Sequence, residues 1–179
     1  HMNYTDPNYL GQDGGIDISY RNRSIQAGLA GENKLAENLK IHFGLEEVIS
    51  DLLVSDTTFA RPLRYHNYAI LGLKYKFSKR YHFSLQLSEQ FIIEKNLAGL
   101  SAENKFKINP YIALSKQDVG QQFGHKLWYR SSFRMPTFNE LYYNNIGNID
   151  LKPEEAHQMN YGWSYYSLKN RKFQFYLRN

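Results

Sequence analysis

The sequence predicts an all-β fold: an antiparallel meander of about eight strands, forming part of a transmembrane β-barrel. Three observations predict it. Apolar and polar residues alternate with a period of two through most of the chain, as they do on strands whose two faces meet different surroundings. Aromatic residues reach 16%, with 15 Tyr and 11 Phe, an excess that suits half-buried pleated surfaces. Short polar connections alternate with long ones, the arrangement of a membrane barrel with short turns at one rim and long loops at the other.

The strands read off in order. An early one around residues 15–30 has a phase that slips near Asn22, which suggests a bulge there. Leu39-Lys40-Ile41-His42-Phe43-Gly44-Leu45-Glu46 alternates without a fault, as does Leu71-Gly72-Leu73-Lys74-Tyr75-Lys76-Phe77. Tyr81, Phe83, Leu85 and Leu87 oppose His82, Ser84, Gln86 and Ser88. Phe106, Ile108, Ile112 and Leu114 share a face, then Leu127, Tyr129 and Phe133, then Met159, Tyr161, Trp163 and Tyr165. Phe173, Phe175 and Leu177 close the series. Leu45, Val48, Ile49, Leu52 and Leu53 would also fit a helical stripe, but the strict alternation before them favours a continued strand.

Gly31-Glu32-Asn33, Ser78-Lys79-Arg80 and Lys169-Asn170-Arg171 have turn chemistry, with residues 117–124 as an intermediate link on the same side. Between them fall long links at about 55–64, 96–104 and 135–155. Alternation alone does not distinguish a lipid-facing surface from a packed core. The sorting of the links favours the membrane barrel.

Composition removes several classes of function. No apolar run approaches the ~18 residues of a membrane helix, and mean hydropathy is −0.61. Cysteine is absent, so disulfides, thiol nucleophiles and cysteine-ligated metals are excluded. The net charge of +5 comes from dispersed Lys and Arg without a basic block, which argues against nucleic acid as a partner. No phosphate loop, dinucleotide fingerprint or hydrolase motif occurs, and adjacent carboxylates such as Glu46-Glu47 point to opposite faces of a strand. The chain is expected to be no enzyme, with no cofactor and no metal. His42, His66 and His82 share the polar parity but lie at different heights, and they read as wall residues.

One block carries a family signature. It runs Trp128-Tyr129-Arg130-Ser131-Ser132-Phe133-Arg134-Met135-Pro136-Thr137-Phe138-Asn139-Glu140-Leu141-Tyr142-Tyr143, then Ile146-Gly147-Asn148-Ile149-Asp150-Leu151-Lys152-Pro153-Glu154-Glu155, then Met159-Asn160-Tyr161-Gly162-Trp163. This resembles the late barrel region of TonB-dependent outer-membrane receptors, in which F-R-x-P and E-L-Y precede G-N-x-x-L-K-P-E and a glycine-bearing strand. The motif residues are Phe133, Arg134, Pro136, Glu140, Leu141, Tyr142, Gly147, Asn148, Leu151, Lys152, Pro153 and Glu154. Their chemistry reads as structural: Pro136 ends a ladder, Asn148 and Asp150 make a turn, and Arg134 and Glu154 flank one loop with opposite charge.

The resemblance implies import of a scarce nutrient (siderophore, vitamin or glycan) across the bacterial outer membrane. Its implied partners are membrane lipid, the transported ligand, and TonB acting through a plug domain. Such receptors close about 22 strands around that plug and finish on an aromatic strand. His1-Met2 reads as an expression-tag scar, and residues 3–179 as a middle-to-late slice of the barrel without plug or final strand. An isolated slice is expected to self-associate through its open edges. The candidate ligand contacts are the loop residues Phe59, Arg61, Arg64, Tyr142, Tyr143, Asn144 and Asn145. Two alternatives stand beside this reading. One is a self-contained small barrel with a structural or adhesion role, recognisable by a sealed seam between first and last strands. The other is a soluble ligand-binding barrel whose aromatic parity is its core.

Overall fold

The computed structural model describes residues 2–6, 16–55, 60–97, 99–117, 123–143, 147–166 and 172–173. They form one antiparallel sheet in strict sequence order, β1 to β9: Met2–Asp6, Ile16–Ala36, Leu39–Val54, Pro62–Lys76, Tyr81–Asn96, Lys105–Gln117, Phe123–Arg134, Glu154–Tyr166 and Lys172–Phe173. A short helix, α1 (Phe138–Tyr142), follows β7. The meander is as expected, and residues 45–53 continue β3 as a strand. Among the described residues β1 pairs with β2 alone, so no ladder joins it to the last strands.

Two expectations need correction. Gly31-Glu32-Asn33 is no turn, because β2 runs through it paired to Phe43, His42 and Ile41. The chain reverses instead at residues 37–38, where the Lys76 N–H donates to the Asn38 carbonyl at 2.8 Å. Gly31 serves as the seat of the Phe43 ring, which a Cβ there would strike. The bulge also moves: β2 pairs without a slip past Asn22 and shifts register only between Lys34 and Ala36, beside the reversal. The turn expected at residues 169–171 lies outside the described residues.

Registers place one parity of every strand on one surface. Ile25, Leu29, Phe43, Leu45, Leu71, Leu87, Ile112, Leu127 and Met159 occupy it, and they are exposed, Leu71 at 62%. The other parity is polar yet crowded: Ile92 is 0% exposed, Glu94 4% and Asn109 5%. The polar parity is therefore the inner, concave wall and the apolar parity the outer one. This argues against the soluble-barrel alternative, which required the aromatic parity inside.

Inner-wall side chains pair across strands. Glu32 takes Lys40 at 2.6 Å and Lys74 at 3.4 Å, and Gln26 donates to Glu46 at 2.8 Å. His42 meets Gln86 at 3.1 Å, and His66 meets Gln90 at the same distance while stacking on Tyr68. Both imidazoles are thus committed to the wall, and among the described residues no three metal-ligating side chains converge.

Candidate functional site

Links of two sizes alternate, putting 37–38 and 77–80 at one rim and 55–61, 97–104 and 135–153 at the other. The longest is built from its ends inward. Arg134, the last residue of β7, donates from Nε and Nη2 to both Glu154 oxygens at 3.0 and 2.7 Å. The same guanidinium reaches Glu140 at 3.1 and 3.0 Å. Pro136 is fully buried and supplies no N–H for a longer ladder.

Thr137 then caps α1. Its hydroxyl accepts from the Glu140 N–H at 3.3 Å, and the Glu140 carboxylate accepts from the Thr137 N–H at 2.7 Å, a reciprocal capping box. Arg134 and the two Thr137 bonds together hold the Glu140 carboxyl down at about 2, from an ordinary 4.5. The T-x-x-E spacing that announces this helix stands in the sequence, and the reading of 135–155 as a bare link missed it.

α1 folds over the inner wall and divides its apolar contacts between two clusters. Phe138 packs with Ile18, Tyr20, Leu52 and Val54, while Leu141 packs with Ile92, Ala102 and Met135. Between the clusters sits an ion pair. Arg64 Nη2 lies 2.5 Å from Glu94 Oε2, with the two side chains 11% and 0% exposed, and the guanidinium covers the Phe138 ring at 4.8 Å. The Tyr142 hydroxyl donates to the other Glu94 oxygen and accepts from the Ala102 N–H at 3.0 Å. Burial and that carboxylate bond push the Tyr142 phenol upward.

The back of the link is tied to the helix. The Gly147 N–H donates to the Tyr143 carbonyl at 2.7 Å and the Asn148 N–H to the Glu140 carbonyl at 2.9 Å. A Cβ on Gly147 would meet backbone atoms of Tyr143 and Leu141 within 3 Å, so only glycine fits. The Asn148 side chain accepts from the Asp150 N–H at 2.9 Å, fixing the following turn. Leu151 and Lys152 are exposed, Pro153 is half-buried, and Phe133 packs against the Leu141 cluster.

Of the candidate ligand contacts, Arg64 and Tyr142 thus meet at Glu94, a residue that sequence reading did not single out. Tyr143 stacks on Tyr20 at 4.7 Å. Arg61 lies at the same rim, where its N–H donates to Asn96 at 2.9 Å. Phe59, Asn144 and Asn145 lie outside the described residues.

The outer wall carries a second surface, and its boundary can be drawn. Beyond Asn33, Lys116 and His125 at the short-link rim, the first polar outward residues are His157 on β8, Ser131 on β7, Glu89 on β5, Asn67 on β4, Glu47 on β3 and Arg23 on β2, while β6 stays apolar outward from Leu114 to Phe106. His157 pairs with Ser131, and Asn67 with Glu47. Through the registers this line climbs eight residues in six strand steps. That is roughly 26 Å along the strands against roughly 29 Å across them, a slope of roughly 40°. Strands of transmembrane barrels tilt by ≈ 35–45°, the magnitude a line level with the membrane plane would show across such strands. Tyr75, Phe77, Tyr81, Phe83 and Trp163 cluster at the opposite margin, as an aromatic girdle does.

The family TonB dependent receptor-like, beta-barrel matches residues 2–177. The chain belongs to this family of TonB-dependent receptor barrels. Comparison with curated protein sequences finds no match. Barrels of this family sit in the bacterial outer membrane and serve receptors and transporters rather than enzymes. In barrels of this kind the short turns lie on the periplasmic side and the long loops on the outer side. Strands β3 to β8, 12 to 16 residues long, exceed the ≈ 9–11 that cross a bilayer. The surplus rises beyond the polar line.

Proposed function

We propose that this chain forms part of the wall of an importer that carries a scarce nutrient across the outer membrane. A siderophore, a vitamin or a glycan fits the chemistry. The carrying observation is the slanted polar line on the outer wall, taken with the family match. It marks a surface built for lipid, behind which lies a hydrogen-bonded polar wall suited to a wet passage.

In this reading residues 3–179 are a slice of a longer barrel, whose plug domain would engage TonB and whose remaining strands would close the lumen. The packed α1 segment narrows the outer mouth on the inner side. Arg61, Arg64, Tyr142 and Tyr143 shape that mouth, with Arg64 and Tyr142 fixing the wall rather than gripping cargo. Taken alone, the slice would self-associate along its open strand edges.

Deleting the parent gene tests the importer reading. Growth should fail on one limiting nutrient among iron chelates, vitamins and glycans, and the intact gene should restore it. Unchanged growth and uptake across all three classes, in cells shown to express the protein, would contradict import.

A further inference from the structure

The sheet forks between β6 and β7. Their ladder runs from Gln117↔Gly124 to Tyr111↔Arg130 and stops, although β6 continues to Lys105 and β7 to Arg134. Each lip stays paired on its far side, β6 to β5 as far as Ile92↔Lys105 and β7 to β8 as far as Arg134↔Glu154. Two strand edges therefore face each other across an opening. A cleft of about 750 Å³ lies there, walled by Lys105, Phe106 and Lys107 on one side, by Phe133, Met135 and Glu155 on the other, and by residues 100–103 and 149–153 of the adjoining links.

At the base of the fork Asn109 is 5% exposed, and its Nδ2 has no hydrogen-bond partner among the described residues. Its Oδ1 accepts from Ser131 Oγ at 3.4 Å and its carbonyl from Ser88 Oγ at 3.2 Å. A buried amide donor left idle costs free energy, and an incoming carbonyl would satisfy it.

Direct closure of the lips is disfavoured by their own residues. Continued in register, the ladder would set Lys107 opposite Arg134, and like charges directly opposite destabilise a pair. Pro110 brings no N–H to the first closing step. Lys107 reaches across the cleft to Glu155 at 2.6 Å, a pair that an incoming strand must displace, and Arg134 is held by Glu140 and Glu154. The fork opens level with Ser131, where β7 turns polar outward, while Ile108 and Phe106 keep the outward side of the β6 lip apolar.

The geometry points to a binding site for an extended polypeptide segment, added as a strand between β6 and β7. Main-chain bonds to both lips supply the affinity, and alternate apolar side chains rest on Phe106 and Phe133. Charge contributes little selection, because Glu103, Asp150 and Glu155 offset Lys105, Lys107 and Lys152 in the same cleft. The site stands on the ladder geometry and is independent of what the barrel imports.

Hydrogen exchange on the full chain in detergent micelles tests it, with an eight-residue peptide of alternating Val and Thr as the probe. Amides of residues 105–109 and 131–134 should exchange on the order of tenfold more slowly with saturating peptide. Residues 112–116, already paired to β7, should not change. A peptide of the same composition with proline at alternate positions should protect nothing. Unchanged exchange at saturating peptide would overturn the site. Protection of both lips without peptide, or a spontaneous disulfide in the Ile108→Cys/Phe133→Cys variant, would show closed lips and overturn it equally.

Discussion

The guanidinium of Arg134 grips the carboxylate of Glu154 through two hydrogen bonds, at 3.0 and 2.7 Å, and so joins the two feet of the 135–153 link. The same cation holds Glu140, three residues into the helix cap, so one side chain ties both strand ends to α1. The pairing has the two-pronged geometry that only a planar guanidinium supplies. Arg134→Lys is therefore expected to behave like Arg134→Ala. Both should speed proteolysis within residues 135–153 and leave the strands intact, as judged by digestion followed by mass spectrometry. Resistance equal to the parent in Arg134→Lys would show that charge alone suffices.

The cap has a defined acid limit. Glu140 titrates at about 2 in the folded chain against an ordinary 4.5. Its folded value is depressed, so its contribution is complete above about pH 4.5 and is lost as pH falls through about 2. Protection of α1 should hold at pH 4 and fall away near pH 2 in exchange measurements at stepped pH. Arg134→Ala should move that loss upward, because the strongest hold on the carboxylate is gone. Glu140→Gln should remove the part of the acid dependence that Glu140 carries.

Glu94 is the buried hinge of the inner contacts. Arg64→Ala would leave its carboxylate unpaired at 0% side-chain exposure, and truncating one member of a buried pair costs about 3–5 kcal/mol. Tyr142→Phe removes one of the two groups on that carboxylate and should cost about 1–3 kcal/mol. Urea unfolding in micelles would rank them, with Arg64→Ala the more damaging. Equal, negligible losses would mean that α1 docks through Phe138 and Leu141 alone.

Much of this architecture was legible beforehand because strand periodicity is local. Leu39–Glu46 and Leu71–Phe77 read correctly since each outward residue meets one environment along its whole length. The failures lie where a glycine or a polar residue serves a partner on another strand. Gly31 resembled a turn because its use, seating Phe43, depends on a register the sequence does not print. Gly72 passed as a neutral alternation, yet the His42 ring fills the space a Cβ would need. Glu94 resembled any wall carboxylate until α1 brought Tyr142 to it. The fork between β6 and β7 was hidden likewise, since Ile108 and Phe133 both continue faultless alternations.

Gly72→Ala checks that last class of residue. The added methyl must displace His42 and break its contact with Gln86, a small-to-large change costing about 1–3 kcal/mol. Restored stability in Gly72→Ala combined with His42→Ala would confirm that the ring, and not strand propensity, sets the cost. Urea titration of the single and double variants reads it.

The central claim, that the outer wall is a lipid-facing band ending on a slanted polar line, is tested most directly by charge scanning across the line. Leu71 lies within the band, whereas Ile49 stands beyond Glu47 on the same surface. In phospholipid vesicles Leu71→Arg should cost about 2–4 kcal/mol, and Ile49→Arg about 0–1, by reversible urea unfolding. Matching scans on β5 and β7 should find the step lower on each strand, at Glu89 and then at Ser131. Equal small costs at both positions, or a step at one register level on every strand, would contradict a membrane-spanning wall.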